Sequence, residues 1–505
     1  MRFTNLICIT ATSLFAALAI PALVLAQENT PPNHARPHYK VIEIGTFGGP
    51  NSFFGSGAPI EESVNNRGLV VGGASTGLSD PYAPNCFFDC YIDHAFQWKE
   101  GFLSDLGTLP PGGFSSTASW VNEQGLIMGE SETGFIDPSN GLPQQVAVVW
   151  LQNGEIVDLG TLGGDFSYGN AMNNRGEVAG IALNTVPDPF SYLGGTETHA
   201  FVWRNGYMED LGTLGGPDSW GADVNERGDI VGWSYINSTP NSNNGPFCGA
   251  NVPTQDPVLW RRDGEMIDLG TFGGTCGVVG SMFNAGSGGA INNRGQIVGT
   301  SNLAGNQSHH AFLWNEGALM DLGTLGGDNS DAYWINDAGE IVGAADVPGT
   351  EQNHHAFLWQ NGKMTDLGTA KGWPCSTAID INSKGRVIID TGICFVGGGP
   401  GMLWENGTLY DLNKLIPPNS GIYISGVNFV NDRGEIGANG VLPNGDQRVL
   451  LLVPVREDEG STNSSDAASE AVPGRMNEPN RLMVPSSPRN SGRPSRLGSQ
   501  TPTVP

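Results

Sequence analysis

The sequence predicts an all-β fold: an eight-bladed β-propeller of four-stranded blades, the last closed by the N-terminal strand. Three observations predict it. Three short signatures recur along the chain in fixed order. Each repeat divides into four short strands joined by tight glycine turns. The folded part opens on a lone strand and ends three strands into a repeat, so each end supplies what the other lacks.

The first signature is Asp-Leu-Gly-Thr, at 105–108, 158–161, 210–213, 268–271, 321–324 and 366–369. Variants stand at Glu43-Ile44-Gly45-Thr46 and Asp411-Leu412-Asn413-Lys414. The second, Asn-x-x-Gly before an apolar run, begins at Asn65, Asn122, Asn173, Asn225, Asn292, Asn336, Asn382 and Asn431. The third is His-Ala-Phe-x-Trp, at 94–98, 199–203, 310–314 and 355–359, with weaker copies at 146–150, 256–260 and 401–404.

One repeat illustrates the division. Strand a is 332–336, strand b 340–343, strand c 355–359 and strand d 363–368. Asn-Asp-Ala-Gly joins a to b, and Gln-Asn-Gly joins c to d; both are hairpin signals, because Asn and Gly tolerate positive φ. Runs such as Ile-Val and Phe-Leu-Trp do not alternate strictly, which suits sheets buried on both faces. The lone strand d is Val41–Ile44, and the a, b and c strands that complete it lie near 427–455. Pairing the ends protects both open edges.

The repeat resembles the extracellular HAF-repeat proteins, on the His-Ala-Phe at 94–96, 199–201, 310–312 and 355–357 and on the Asp-Leu-Gly-Thr that follows. The resemblance covers about residues 40–455. It implies an exported bacterial repeat protein and no established enzymatic activity. Copies at 146–150, 256–260 and 401–404 depart from the pattern.

Outside the repeats, residues 1–26 read as a signal peptide: Arg2, an apolar run to Leu25, and Val24-Leu25-Ala26 before the cut. Residues 27–38 read as a linker, 39–456 as the propeller, and 457–505 as a Ser/Pro/Asn-rich disordered tail. The chain is therefore expected to be secreted, extracellular or periplasmic, with no membrane span, and monomeric. Lys and Arg number 24 against 51 Asp and Glu, a net charge of −27. Such a balance argues against nucleic acid, whose binding neutralises phosphates with basic side chains.

Antiparallel order places the short a–b and c–d turns on one face. The long b–c connections and the d-to-a connections share the other, the loop face. Arg67, Arg175, Arg227, Arg294, Arg386 and Arg433 fall at a–b turns, whereas acids such as Asp80, Asp89, Asp93, Glu132 and Asp346 fall on the loop face. Long individual loops on a rigid scaffold are where binding is expected. Six cysteines of the mature chain lie there, and an even count in an exported chain suggests disulfides. Near-neighbour pairing gives Cys86–Cys90, Cys248–Cys276 and Cys375–Cys394, out of fifteen connectivities.

A group repeated in every blade is expected to do a structural job. The Asp of strand d should accept N–H bonds in its Gly-Thr turn, the His at the head of strand c should be held by hydrogen bonds, and the Trp ending strand c should pack between blades. Trp120, Trp220, Trp334 and Trp373 stand apart, in or beside d-to-a connections, and read as platforms for sugar rings. Asp218, Asp328, Asn329 and Asp331 beside them can bond hydroxyls.

No Gly-x-Ser-x-Gly, His-Glu-x-x-His or Walker loop occurs. The sequence thus predicts a non-catalytic binding propeller for carbohydrate or another cell-surface polymer, with no cofactor and no catalytic residue. Two alternatives stand beside it: a scaffold for a cell-surface protein, and a glycosidase using two loop-face acids. Calcium is the one ion that the Asp-rich loops suggest, though they lack EF-hand spacing.

Overall fold

The computed structural model describes residues 36–455, except 55–61, 85, 87–88, 138–140, 189–190, 192, 194, 250, 281–288 and 350–352. The expected signal peptide, residues 27–35 of the linker and the tail at 457–505 lie outside the described residues.

The protein is all-β. Among the described residues, helix is confined to Gly245–Cys248 and a 3-10 turn at Leu412–Lys414. Among the described residues no helix is long and apolar enough to cross a membrane. Among the described residues seven hydrogen-bonded sheets form: five of four strands, one of five and one of eight. The eight-stranded sheet is two four-stranded meanders joined at a single parallel bridge, Gln255 to Cys276. Within each meander the strands run antiparallel in the order a, b, c, d. One example is Ser330–Ile335, Ile341–Asp346, His354–Gln360 and Lys363–Gly368.

The terminal strands pair as the sequence predicts. Tyr39–Ile44 runs antiparallel to Gln447–Pro454, from Tyr39 opposite Pro454 to Ile44 opposite Val449, beside Ile436–Val441 and Tyr423–Val430.

The three signatures interlock. In the Asn-x-x-Gly turn the Asn side chain takes two N–H groups of its own turn, as Asn122 Oδ1 does from Gln124 and Leu126, both at 3.0 Å. Its amide donates to the backbone carbonyl of the next sheet's Asn. Bonds of 3.0–3.2 Å run Asn65 to Asn122, Asn173, Asn225, Asn292, Asn336, Asn382 and Asn431 in turn. Asn431 donates to Asn65 O at 3.1 Å.

A serine at the start of strand a ties the other two signatures together. Ser330 Oγ accepts the Ala311 N–H of His-Ala-Phe at 2.9 Å and donates to Gly323 O of Asp-Leu-Gly-Thr at 2.6 Å, both on the preceding sheet. Ser116, Ser167, Ser219 and Ser376 repeat the arrangement. Ser52 makes the same pair of bonds to Val449 N and Ile44 O, tying the first sheet to the paired termini.

The strand-d Asp accepts the turn N–H as expected: Gly107 to Asp105, Gly212 to Asp210 and Gly323 to Asp321, at 2.7–2.8 Å. Where strand c begins with His, its Nδ1 meets the same carboxylate at 2.8–3.0 Å, in His94–Asp105, His199–Asp210, His310–Asp321 and His355–Asp366. These exposed pairs order a turn and contribute little stability. The Phe of the signature is fully buried in all four copies. Trp150, Trp260 and Trp314, which end strand c, are buried in the packing between sheets.

Strand a carries a β-bulge in most sheets, between Gly221 and Asp223 for example, and the bulge presses a carbonyl toward strand b. The glycine of Ile-Val-Gly sits under that carbonyl. A Cβ on Gly232 would stand 1.7 Å from Trp220 O. Gly232→Ala should therefore cost about 1–3 kcal/mol through a forced backbone shift. A thermal midpoint equal to wild type would show that the bulge yields freely.

The loop face corrects one boundary. The b–c connections at 74–93, 131–145 and 182–198 are largely strand: Val70–Ser79 with Tyr91–Lys99, Ile127–Ile136 with Pro143–Trp150, and Val178–Asp188 with Gly195–Arg204. Each hairpin shifts register midway, and its outer half is exposed on both faces, so the apolar pattern that marks a buried strand is missing there.

Candidate functional site

Several basic residues of the turn face pair with acids within it. Arg175 and Arg262 both reach Glu177, at 2.5 and 2.6 Å; Arg433 reaches Glu435 at 2.5 Å and Arg386 reaches Glu405 at 2.7 Å. Of the large exposed apolar side chains, Phe102, Tyr207 and Met320 lie beside c–d turns on the turn face, but more lie at the other end of the sheets. Leu78, Phe114, Phe135, Ile136, Val186, Ile393, Phe395 and Val396 all stand on loop-face segments. The three expected disulfides are formed there: Cys86–Cys90, Cys248–Cys276 and Cys375–Cys394.

The four tryptophans do not make a shared platform. Trp120 and Trp220 are 5% and 6% exposed and lie within strand a, so neither offers a ring face to solvent. Trp220 stacks on Trp233, with centroids 6.1 Å apart. Trp334 is half-buried, meets Phe429 edge-on and packs against three separate core clusters. Trp373 packs partly buried against a core cluster that includes Ala378, Val387 and Met402. Proximity to a d-to-a connection suggested exposure; the strands begin earlier than the sequence indicates and draw the rings inside. Asp218 is buried too, where its Oδ1 accepts Thr198 N at 2.8 Å.

Asn329 and Asp331 do come together, with two histidines that the sequence reading assigned to structure. The four residues join His309–Asn315 of one sheet to Ser330–Ile335 and the facing ends of Ile341–Asp346 and His354–Gln360 of the next. Asn329 Oδ1 accepts His309 N at 3.2 Å, while Asn329 Nδ2 donates to Asp346 Oδ2 at 2.7 Å. Asp331 Oδ1 accepts the Thr300 hydroxyl at 2.9 Å, and its Oδ2 lies 3.4 Å from His309 Nε2. His354 stands opposite Asp346 in the register, and its ring tilts against Phe395 with centroids 5.2 Å apart. Phe395 is 68% exposed, on the segment pinned by Cys375–Cys394. Asp328 is exposed beside the group.

Electrostatics bind this group together. Burial disfavours the His309 imidazolium, but the Asp331 carboxylate outweighs it and raises the histidine above its ordinary range. Burial raises Asp346, and the Asn329 bonds and nearby His354 and His309 pull back only part of the shift. The arrangement supplies carboxylate and imidazole groups beside one exposed aromatic ring. Phe395 escaped the sequence reading because Phe-Val after a Cys carries no repeat signal.

Among the described residues one set of three metal-type donors lies within 4.8 Å: His354, Cys375 and Cys394. Two of the three are sulfurs of a disulfide, so the set does not suit a metal.

No family model matches the chain, and no curated protein matches it. Solved structures of similar architecture include the β-propeller domain of the Trilobed protease from Pyrococcus furiosus, at 9% identity and TM-score 0.41, covering 68% of this chain and 94% of that one. Porphyromonas gingivalis dipeptidyl peptidase 4 matches at 9% identity and TM-score 0.43, covering 82% of this chain and 60% of its own. An ulvan lyase of polysaccharide lyase family PL25 matches at 9% identity and TM-score 0.37, covering 83% and 98%.

Proposed function

We propose that this chain is an exported bacterial propeller of eight blades, closed by its N-terminal strand, that binds carbohydrate or another cell-surface polymer on its loop face without catalysis. Counting the eight-stranded sheet as two blades supports the number, and the run of Asn bonds returning from Asn431 to Asn65 supports closure. Three disulfides suit an oxidising compartment. The resemblance to HAF-repeat proteins fits the same reading.

One observation carries the binding site: Phe395 projects into solvent against His354, beside the Asn329–Asp346 and His309–Asp331 pairs. An aromatic face takes the apolar C–H side of a sugar ring, and the surrounding carboxylates and amide take its hydroxyls. The disulfide fixes the aromatic segment beforehand, which lowers the ordering cost of binding.

The test is a polysaccharide and glycan panel on the full mature chain, with released sugars measured in parallel. Phe395→Ala and Asp328→Ala should each weaken binding about tenfold or more at an unchanged melting temperature. Binding equal to wild type in both variants would remove the site, and sugar release would favour the glycosidase. A panel with no binder would turn attention to a cell-surface protein partner.

A further inference from the structure

The junction of the two meanders in the eight-stranded sheet carries a cleft on the loop face. Its volume is about 400 Å³, the size of an ordinary small-molecule site. Ser242, Asn243 and Gly245 line one side, from the b–c connection of the first meander. Gly305, Asn306 and Gln307 line the other, from the b–c connection of the second. None of the six is charged. Ser242, Asn243 and Gln307 are exposed, and Gln307 Nε2 is held only by Gly305 O at 3.4 Å.

The floor of the cleft is a connected amide network. Asn244, Asn302 and Asn306 are buried. Asn306 Nδ2 donates to Asn243 O and, at 2.9 Å, to Thr275 Oγ1, while Asn306 Oδ1 accepts Thr275 N at 2.9 Å. The Thr275 hydroxyl donates to Asn244 Oδ1, and Asn302 Nδ2 donates to Asn244 O, both at 2.8 Å. A Cβ on Gly245 would stand 2.1 Å from Asn306 O, so the two connections touch. Cys248–Cys276 crosses the same junction. Asn241 N to Val252 O at 2.9 Å and Asn251 N to Asn241 O at 3.1 Å close the longer connection on itself. This frame sets both walls before a ligand arrives, which lowers the ordering cost of binding.

The lining selects the ligand. Amide side chains offer donors and acceptors together, as sugar hydroxyls do. An ionic ligand finds no opposite charge in the lining, and a net charge of −27 repels polyanions. Over Gly305 the backbone is open, since a Cβ there would meet nothing within 4 Å. The cleft also borders the group beside Phe395. Gln307 precedes His309 by two residues, at most about 7 Å of chain, and His309 N donates to Asn329 Oδ1 at 3.2 Å. We propose that the cleft is a second saccharide subsite, for an uncharged sugar unit, so that the loop face takes a chain of several neutral units rather than one sugar. The proposal rests on the carbohydrate reading of this face and adds the class of polymer to it.

The experiment titrates the full mature chain with uncharged oligosaccharides of one to eight units, cut from a glucan, a mannan and chitin, beside uronate and sulfated counterparts. Wild-type affinity should rise with the length of a neutral oligosaccharide. Two variants probe the cleft: Asn243→Ala with Gln307→Ala removes its exposed amides, and Ser242→Trp fills it. All three positions are exposed, so melting temperatures should match wild type. Each variant should weaken the longer neutral oligosaccharides about tenfold and flatten the rise with length. Wild-type binding in both variants would overturn the cleft, and Phe395→Ala then reports on the first site alone. Loss in the cleft variants with none in Phe395→Ala would keep the cleft and remove the Phe395 site. A wild type that binds no neutral oligosaccharide, or binds the charged ones more tightly through the cleft, would overturn the ligand class and the subsite with it.

Discussion

Asn122→Ala should destabilise the protein by about 3 kcal/mol or more, far beyond what a polar-to-alanine change usually costs. The side chain accepts from Gln124 N and Leu126 N and donates to Asn173 O on the neighbouring sheet. Asn122 is 2% exposed, so water replaces none of these bonds freely. Two N–H groups and one carbonyl lose their partner, and each buried polar group left unpaired costs about 1–3 kcal/mol. Asn382→Ala should match it, since Asn382 accepts from Lys384 N and Arg386 N and donates to Asn431 O in the same way. Asn153 provides the contrast. Its Oδ1 takes Glu155 N in an exposed c–d turn, so Asn153→Ala should cost well under 1 kcal/mol. Urea-unfolding midpoints of the three variants decide the matter. If Asn122→Ala and Asn153→Ala unfold together, the chain of amide bonds contributes nothing to cohesion.

These bonds also explain why the fold was legible. A structure repeated several times must solve the same hydrogen-bonding problem at each contact. The solution surfaces as invariant letters: Asn for turn and neighbour, Ser for bridge, Gly under the bulge. The pairing of the termini was legible for the same reason, as a missing strand at one end and a spare at the other. The ligand face was not. Its residues occur once each, so no period marks them. Trp120 and Phe395 show the difficulty: the Trp looked free of the repeat and is buried, while the Phe drew no notice and is exposed. Trp120 lies within strand a, Ser116–Val121, whereas Phe395 lies past the end of strand b, Val387–Ile393, and local sequence marks neither boundary. Asn329 and Asp331 were found because polar residues ahead of strand a stay at the mouth of the sheets wherever the strand starts.

The protein should be more stable at pH 5 than at pH 8, losing several kcal/mol between them, the reverse of the usual acid sensitivity of salt-bridged folds. Four carboxylates buried in the sheets drive this. Burial pushes Glu130 up to about 8, eased slightly by the Tyr168 hydroxyl. It pushes Asp390 up to about 7 against one Val427 N–H, and Asp380 to about 7 against the N–H groups of Val430 and Ile381. Asp223 rises to about 6, held lower by N–H donors that include Ile291 and Val224. Each therefore titrates higher in the folded chain than in the unfolded one, where carboxylates release their protons near pH 4. Between those values the native state binds more protons than the unfolded state, so stability falls as pH rises. Below about pH 4 both states are protonated and the slope vanishes. Each unit of displacement corresponds to about 1.4 kcal/mol, so Glu130 alone can supply a few kcal/mol of the loss. Glu130→Gln should flatten the decline and raise the melting temperature at pH 8 by several degrees while changing little at pH 5. A wild type whose melting temperature rises from pH 5 to pH 8 would mean that these carboxylates remain ionised, with a partner that their hydrogen bonds do not reveal.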